Sequence, residues 1–290
     1  MEERGAVAPH FRLPWLLTSF ARGLDFLSKR LATRFLWSVF TRPVKFKMPP
    51  REAGFHDITT QEEVRVGSFG KRVMLHRARN DGKRVLLVHG WNGRSSQFHR
   101  MAALFHDHGF DVTAVDLPGH GKSPRGNTNL LESADVIGSV AGSHGPFHAL
   151  ISHSFGVPAS LNAVRLGAEF EKMVMISPGF FYLEPTFEAF LELFGLDGRE
   201  YTMRMFEYGE SVYGISAEEF APSSFAGRIG TEALIVHCED DREAPREIAE
   251  RLHHEMPNSQ LHLTEGLGHR RILGDDDVAM SIIKFIEGSS

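Results

Sequence analysis

Phe147-His-Ala-Leu-Ile-Ser-His-Ser154-Phe-Gly-Val-Pro-Ala-Ser-Leu161 is the stretch on which the reading of this chain turns. A run of apolar residues ends at Ser152 and a helix-compatible run begins at Phe155. Between them, Ser152-His153-Ser154-Phe155-Gly156 reads small-x-Ser-x-Gly. The pattern fits a strand that turns sharply into a helix with a serine at the apex. Such a turn brings the backbones two residues before and two residues after the serine close together, so large side chains would collide there. The serine oxygen then sits over a helix N-terminus, whose free N–H groups and dipole favour developing negative charge. Pro158 is tolerated because the first-turn N–H groups of a helix have no intrahelical partner. Taken alone, the pattern describes an ordinary strand-turn-helix connection, and the rest of the chain decides its meaning.

Outward from that stretch, short apolar runs alternate with helical patterns. Upstream come strand-like pieces at Phe55–Thr60, Glu63–Ser68 and Val73–Arg77, then a fully apolar strand, Val85–Val88, leading into His89-Gly90-Trp91-Asn92-Gly93. A helix over about 96–108, the strand Val112–Val115 and the loop Asp116-Leu-Pro-Gly-His-Gly-Lys-Ser123 follow, then a helix around 130–141. Downstream lie the strands Lys172–Ile176, Ala233–His237 and Gln260–Leu263, with helices near 245–254 and 278–287. Continuous apolar strands alternating with helices predict an α/β fold, a mostly parallel central sheet with helices on both faces.

Two segments depart from that rhythm. Residues 180–228 hold eight of the 23 Phe residues together with Met203, Met205, Tyr182 and Tyr208. A helical, Phe-rich insertion between two strands predicts a cap over the C-terminal sheet edge, where ligands of open α/β sheets bind. The expected division is therefore a core of residues 51–179 and 229–290, a cap of 180–228, and an N-terminal helix and linker of 1–50. In that arm, Leu13, Leu16, Phe20, Leu24, Leu27, Leu31 and Phe35 recur at three- and four-residue steps, one apolar stripe of an amphipathic helix. The preferred expectation is a helix packed on the core or forming part of a lid. The competing one is peripheral contact with an anionic membrane through residues 11–40. Met1–His10 is polar and carries no basic n-region before a long apolar core, so no signal peptide is expected, and the uncharged stretch Leu13–Ala21 is too short to span a bilayer.

Bulk properties bound the partners. At 290 residues with 42% hydrophobic and 24% charged content, the chain can build a large globular core. A single cysteine, Cys238, excludes an intramolecular disulfide framework and suits a reducing, cytoplasmic compartment. Sixteen histidines invite a metal reading, but there is no H-E-x-x-H and no Cys pair. His253-His254 and His106-x-His108 read as solvated helix surface, and neither metal nor cofactor is expected. Residues 1–50 carry nine Lys/Arg against three Asp/Glu, a formal +6, which leaves −11 on the other 240 residues. An acidic body argues against nucleic acid as a partner.

With these pieces placed, the chain resembles the α/β-hydrolase family from about residue 55 to 287. His89-Gly90-Trp91 resembles the family's oxyanion loop, and Asp116–Ser123 its D-x-P-G-x-G-x-S loop. Ser152–Gly156 resembles its nucleophile elbow, His237-Cys-Glu-Asp-Asp241-Arg-Glu-Ala-Pro245 its acid loop, and Gly266-Leu-Gly-His269 its histidine loop. The order Ser154, Asp241, His269 is the one that fold requires. Ser152, Val157 and Cys238 depart from glycines common in the family at those places. Glu239 and Asp240 compete with Asp241 for the acid, and the spacing to Ala244-Pro245 favours Asp241. The resemblance implies Ser154 as nucleophile, His269 as base, and the N–H groups of Trp91 and Phe155 as oxyanion donors. It also suggests a pocket touching His89, His153, Phe180, Phe181 and Phe187. The implied activity is cleavage of a carboxylic ester with a small-to-medium apolar acyl group, acting on a small-molecule ester. The same triad on a thioester, an amide or a C–C bond, or a non-catalytic ligand receptor on this fold, stand as alternatives.

Overall fold

The computed structural model describes residues 13–288. The arm forms α1 (Trp15–Leu27) and α2 (Lys29–Phe40), followed by the single turn α3 (Phe55–Ile58). Next come β1 (Thr60–Val66), β2 (Lys71–Ala78), β3 (Arg84–Val88), α4 (His99–Asp107), β4 (Asp111–Asp116) and α5 (Leu130–His144). They are followed by β5 (Ala149–His153), α6 (Gly156–Arg165), β6 (Lys172–Ile176), α7 (Glu184–Glu192), α8 (Gly198–Tyr213) and α9 (Ala217–Phe220). The chain ends with β7 (Glu232–Cys238), α10 (Arg246–Glu255), β8 (Ser259–Thr264), α11 (Gly268–Arg271) and α12 (Asp276–Glu287). The strands make one sheet in the order β1-β2-β4-β3-β5-β6-β7-β8. β1, β2 and β4 pair antiparallel, and from β4 across to β8 every pairing is parallel.

The period-two geometry of a strand sends alternate side chains to opposite faces, and the two cores follow it. Leu86, Val88 and Leu150 enter one cluster with side chains of α5, α6 and α10. Val85, Leu87, Ala149 and Ile151 enter the other with α4 and α12. Both faces are covered, which is why the central strands read as unbroken apolar runs.

Two expectations are corrected. The segment starting at Phe55 is helical rather than extended: Phe55 is buried, its ring packed against His76, while Thr59 Oγ1 donates to the Phe55 carbonyl and closes the turn. The N-terminal stripe is two helices rather than one. The break falls at Ser28, which has extended backbone and whose side chain accepts from the Leu31 N–H as the N-cap of α2. Met1–His10 lies outside the described residues. No helix among the described residues is long and apolar enough to cross a membrane.

The arm does not stand apart from the insertion. Ala21, Ala32 and Leu36 share a separate cluster with Phe187, Leu191, Phe194, Tyr201 and Met205 of the α7–α8 region. Arg22 donates to the Phe194 carbonyl at 3.0 Å, and the Tyr201 hydroxyl donates to Asp25 at 2.5 Å. The approach of α2 to α8 depends on Gly209, where a Cβ would lie 2.8 Å from the Trp37 ring. Four helices, two from each end of the sequence gap, thus form one layer above the C-terminal ends of the parallel strands.

Candidate active site

Ser154 follows β5 with φ 53°, a left-handed conformation rare for a residue with a Cβ and costly unless its surroundings enforce it. They do so from three sides. The Ser154 N–H donates to the Ile176 carbonyl at 3.0 Å, and the Gly179 N–H donates to the Ser154 carbonyl at 3.2 Å. Gly156 abuts the end of β3, where a Cβ would meet the carbonyls of Val88 and His89 at 2.7 Å. That approach is the physical reason for glycine two residues after the apex.

His269 sits in α11, beyond β8. Its Nε2 lies 3.0 Å from Ser154 Oγ and its Nδ1 2.7 Å from Asp241 Oδ2. With Nδ1–H donating to the carboxylate, Nε2 is left to accept from the serine hydroxyl. The other Asp241 oxygen accepts from the N–H groups of Glu243 and Ala244 at 2.8 and 2.9 Å. Burial acts to raise the Asp241 pKa, but the hydrogen bond from His269, the charge of that ring and the two N–H donors outweigh it, and the carboxyl is held below its ordinary range. The neighbouring acids point elsewhere. Asp240 accepts from Gly266 N–H and from the Cys238 thiol, and Glu239 pairs with Arg246 at 3.0 Å. Cys238 has its own role, because its sulfur accepts from the N–H groups of Leu267 and Gly268 and so ties the histidine loop to the acid loop.

The loop after β3 brings Trp91 beside the serine. Gly90 makes that approach possible, since a Cβ there would lie 2.8 Å from Ser154 Cβ. No acceptor among the described residues takes the N–H of Trp91 or of Phe155, and the two rings meet edge to face at 5.0 Å. His89 lies beneath this loop. It donates from Nδ1 to the Gly90 carbonyl at 2.7 Å and accepts at Nε2 from the Leu117 N–H at 3.0 Å. Accepting at Nε2 requires the neutral ring, and burial pushes its pKa down. The Asp116–Ser123 loop proves to be a clamp. Asp116 accepts from the N–H groups of Ser95 and Lys122, each at 2.7 Å, and from His76 at 3.0 Å.

Ser154 lies in the wall of a cavity of about 300 Å³. Phe180 and Phe187 line it, as do Trp91 and Phe155. His89, His153 and Phe181 do not, which corrects the pocket expected from sequence. His89 is buried under the loop that carries Trp91. Phe181 turns into the core cluster with α6. His153 is buried against α11. There its Nε2–H donates to the His269 carbonyl at 2.8 Å, with the two rings 4.8 Å apart. Burial drives its pKa down to about 3 and keeps it neutral. Sequence reasoning missed Trp37 and Phe40 of α2, Leu130 and Leu131 of α5, and Tyr213 and Phe220 after α7, all of which line the cavity. No local signal marked Trp37 and Phe40, which lie two and five residues past Phe35 and so off the apolar stripe of the arm. Among the described residues no cluster of three or more His, Cys, Asp or Glu side chains is arranged to hold a metal ion.

The model of the alpha/beta hydrolase family matches residues 85–280, well over half of the chain. The chain belongs to that family. No curated protein matches it. Among solved structures, the esterase from Exiguobacterium antarcticum is 18% identical over 79% of this hydrolase-family chain and 100% of its own, with a TM-score of 0.60. A thermophilic esterase from Thermogutta terrifontis is 15% identical over 79% and 99%, with a TM-score of 0.61. A bacterial membrane phospholipase A is 17% identical over 94% of this chain and 96% of its own, with a TM-score of 0.59. At these identities the likeness is one of fold.

Proposed function

We propose that the chain is a serine hydrolase that cleaves carboxylic esters of apolar acyl groups through an acyl-enzyme. The observation that carries this reading is the hydrogen-bonded series Asp241–His269–Ser154, at 2.7 and 3.0 Å, opening into a cavity walled mostly by aromatic and aliphatic side chains. The esterase and phospholipase names of its structural neighbours accord with it.

The steps follow from the geometry. Ser154 Oγ attacks the ester carbonyl carbon as its proton passes to His269 Nε2, and Asp241 stabilises the imidazolium that forms. The carbonyl oxygen, now negative, accepts from the Trp91 and Phe155 N–H groups, and each such donor contributes about 3 kcal/mol. His269 returns its proton to the leaving alcohol, and the acyl group stays on Ser154. Water attacks the acyl-enzyme by the same route and releases the acid. The apolar cavity fits the acyl chain, which has no polar groups to leave unpaired there.

The test is hydrolysis of p-nitrophenyl esters of graded chain length, with fluorophosphonate labelling read by mass spectrometry. Wild type turns the esters over and carries the adduct on Ser154, and Ser154→Ala does neither. Equal turnover by the two proteins ends the proposal.

A further inference from the structure

α1 is apolar on both sides. Its inner face, with Ala21 fully buried and Leu17 and Leu24 partly so, packs against α2 and the α7–α8 layer. Its outer face carries Trp15, Leu16, Phe20, Phe26 and Leu27, which at 100° per residue fall within an arc of about 140°. Only Ser19 and Gly23 share that arc, and no charged residue interrupts it. Phe26 is 91% exposed, Leu27 75% and Trp15 72%, and Leu31 continues the patch onto α2. Scattered exposed apolar residues need no explanation, but a contiguous patch of this size marks an interaction site.

The charge around the patch selects the occupant. Arg30 and Arg34 stand exposed one turn apart on α2, and neither makes an ion pair with a described residue. The arm as a whole is formally +6 on a body of −11. Asp25, the one acid between residues 13 and 50, turns inward to Lys29 and Tyr201. A smooth apolar arc with a Trp at one end and arginines at its margin matches a bilayer interface bearing anionic headgroups. A protein partner would be met by polar groups paired across the rim, and Ser19 is the one polar side chain within the arc.

We propose that the α1–α2 hairpin docks the protein on an anionic lipid surface, with the outer face of α1 in the acyl boundary and Arg30 and Arg34 at the headgroups. The same hairpin supplies Trp37, Phe40 and Thr41 to the wall of the Ser154 cavity. The docked face and the cavity wall are therefore carried by one pair of helices, and docking holds the cavity close to a substrate carried in the membrane. This last step rests on the hydrolase reading, whereas the docking does not.

The experiment uses the full chain as Ser154→Ala, so that binding is read without turnover, in co-sedimentation with vesicles of phosphatidylcholine alone or mixed with phosphatidylglycerol. Binding to the mixed vesicles is expected to exceed binding to phosphatidylcholine by at least about tenfold and to weaken with added salt. Phe26→Glu/Leu27→Glu, neither of which lines the cavity, loses binding by about tenfold or more, with an unchanged melting temperature. Arg30→Gln/Arg34→Gln loses the preference for anionic vesicles by roughly the same factor. Failure of the parent to bind either vesicle, or undiminished binding by the Phe26/Leu27 variant, overturns the proposal. So does sedimentation velocity showing a dimer that the same variant abolishes, because a second copy would then be the occupant. With Ser154 restored, the Phe26/Leu27 variant keeps turnover of a soluble short-chain ester and loses turnover of a long-chain ester held in vesicles. Absence of any turnover in wild type would sink the hydrolase reading and leave the vesicle result standing.

Discussion

Replacing Gly90 by alanine tests the proposal that the Trp91 loop holds an oxyanion beside Ser154. The added methyl would lie 2.8 Å from Ser154 Cβ and 3.3 Å from Ser154 Oγ. Carbon atoms in comfortable contact sit about 3.5–4.0 Å apart, so the loop and the elbow must separate by about 1 Å. The elbow cannot give, because Ser154 is pinned by Ile176 and Gly179 and by the close seat of Gly156 on β3. The loop moves instead and carries the Trp91 N–H with it. A displacement of that size at reacting groups costs about 10²-fold in rate, and loss of one oxyanion donor costs about 10²–10³-fold. We therefore expect kcat for a p-nitrophenyl ester to fall by about 10²-fold with little change in KM, since the lost contact forms only with the tetrahedral oxyanion. Gly142→Ala is the control. That glycine lies in α5 with nothing near its missing Cβ, and alanine there should stabilise the protein by about 0.5–1 kcal/mol with activity unchanged. A Gly90→Ala protein that melts within a few degrees of wild type and keeps kcat within about threefold would refute the reasoning.

Other expectations concern the loops around the site. Asp241→Asn should lower kcat by about 10⁴-fold by removing the acceptor that sets the His269 tautomer, while Asp240→Asn, whose carboxylate serves the Gly266 loop, should lower it far less; parallel steady-state assays decide. His153 is held neutral with its pKa near 3 against an ordinary 6.5, so the unfolded chain takes up a proton that the fold refuses as pH drops below about 6.5. Stability should therefore be lost on acidification by about 1.4 kcal/mol per pH unit from this group, and His153→Gln should show a shallower loss in urea melts between about pH 7 and pH 5. Cys238→Val leaves the Leu267 and Gly268 N–H groups without their acceptor and should cost about 1–3 kcal/mol, while Cys238→Ser should recover part of it; thermal melts compare the two.

The central parallel strands were plain in the sequence because they are buried on both faces, so that Val85–Val88 or Ala149–Ile151 carries no polar interruption. The turn at Ser154 was legible for a related reason: its glycine and small residues answer to backbone distances set by β3 and β6. The Phe55 segment misled because Phe, Ile and Thr favour strands locally, and only its seat under His76 makes it helical. The break at Ser28 was hidden by an apolar stripe that runs on past it, through Leu27 and Leu31, both of which are exposed. The pocket was the least legible part. Its walls come from α2, α5 and α8, far apart in sequence, and no local pattern tells an inward Phe180 from a core Phe181 beside it.

Because Trp37 and Phe40 sit on a segment that precedes every strand, the shape of the cavity beside Ser154 is set in part by residues that the sheet does not need. Substitutions there can widen, narrow or lengthen the chamber while leaving the elbow, the imidazole and the carboxylate where they are. A version trimmed to begin at the first strand would lose one side of its chamber and the packing of α7 and α8 against the arm.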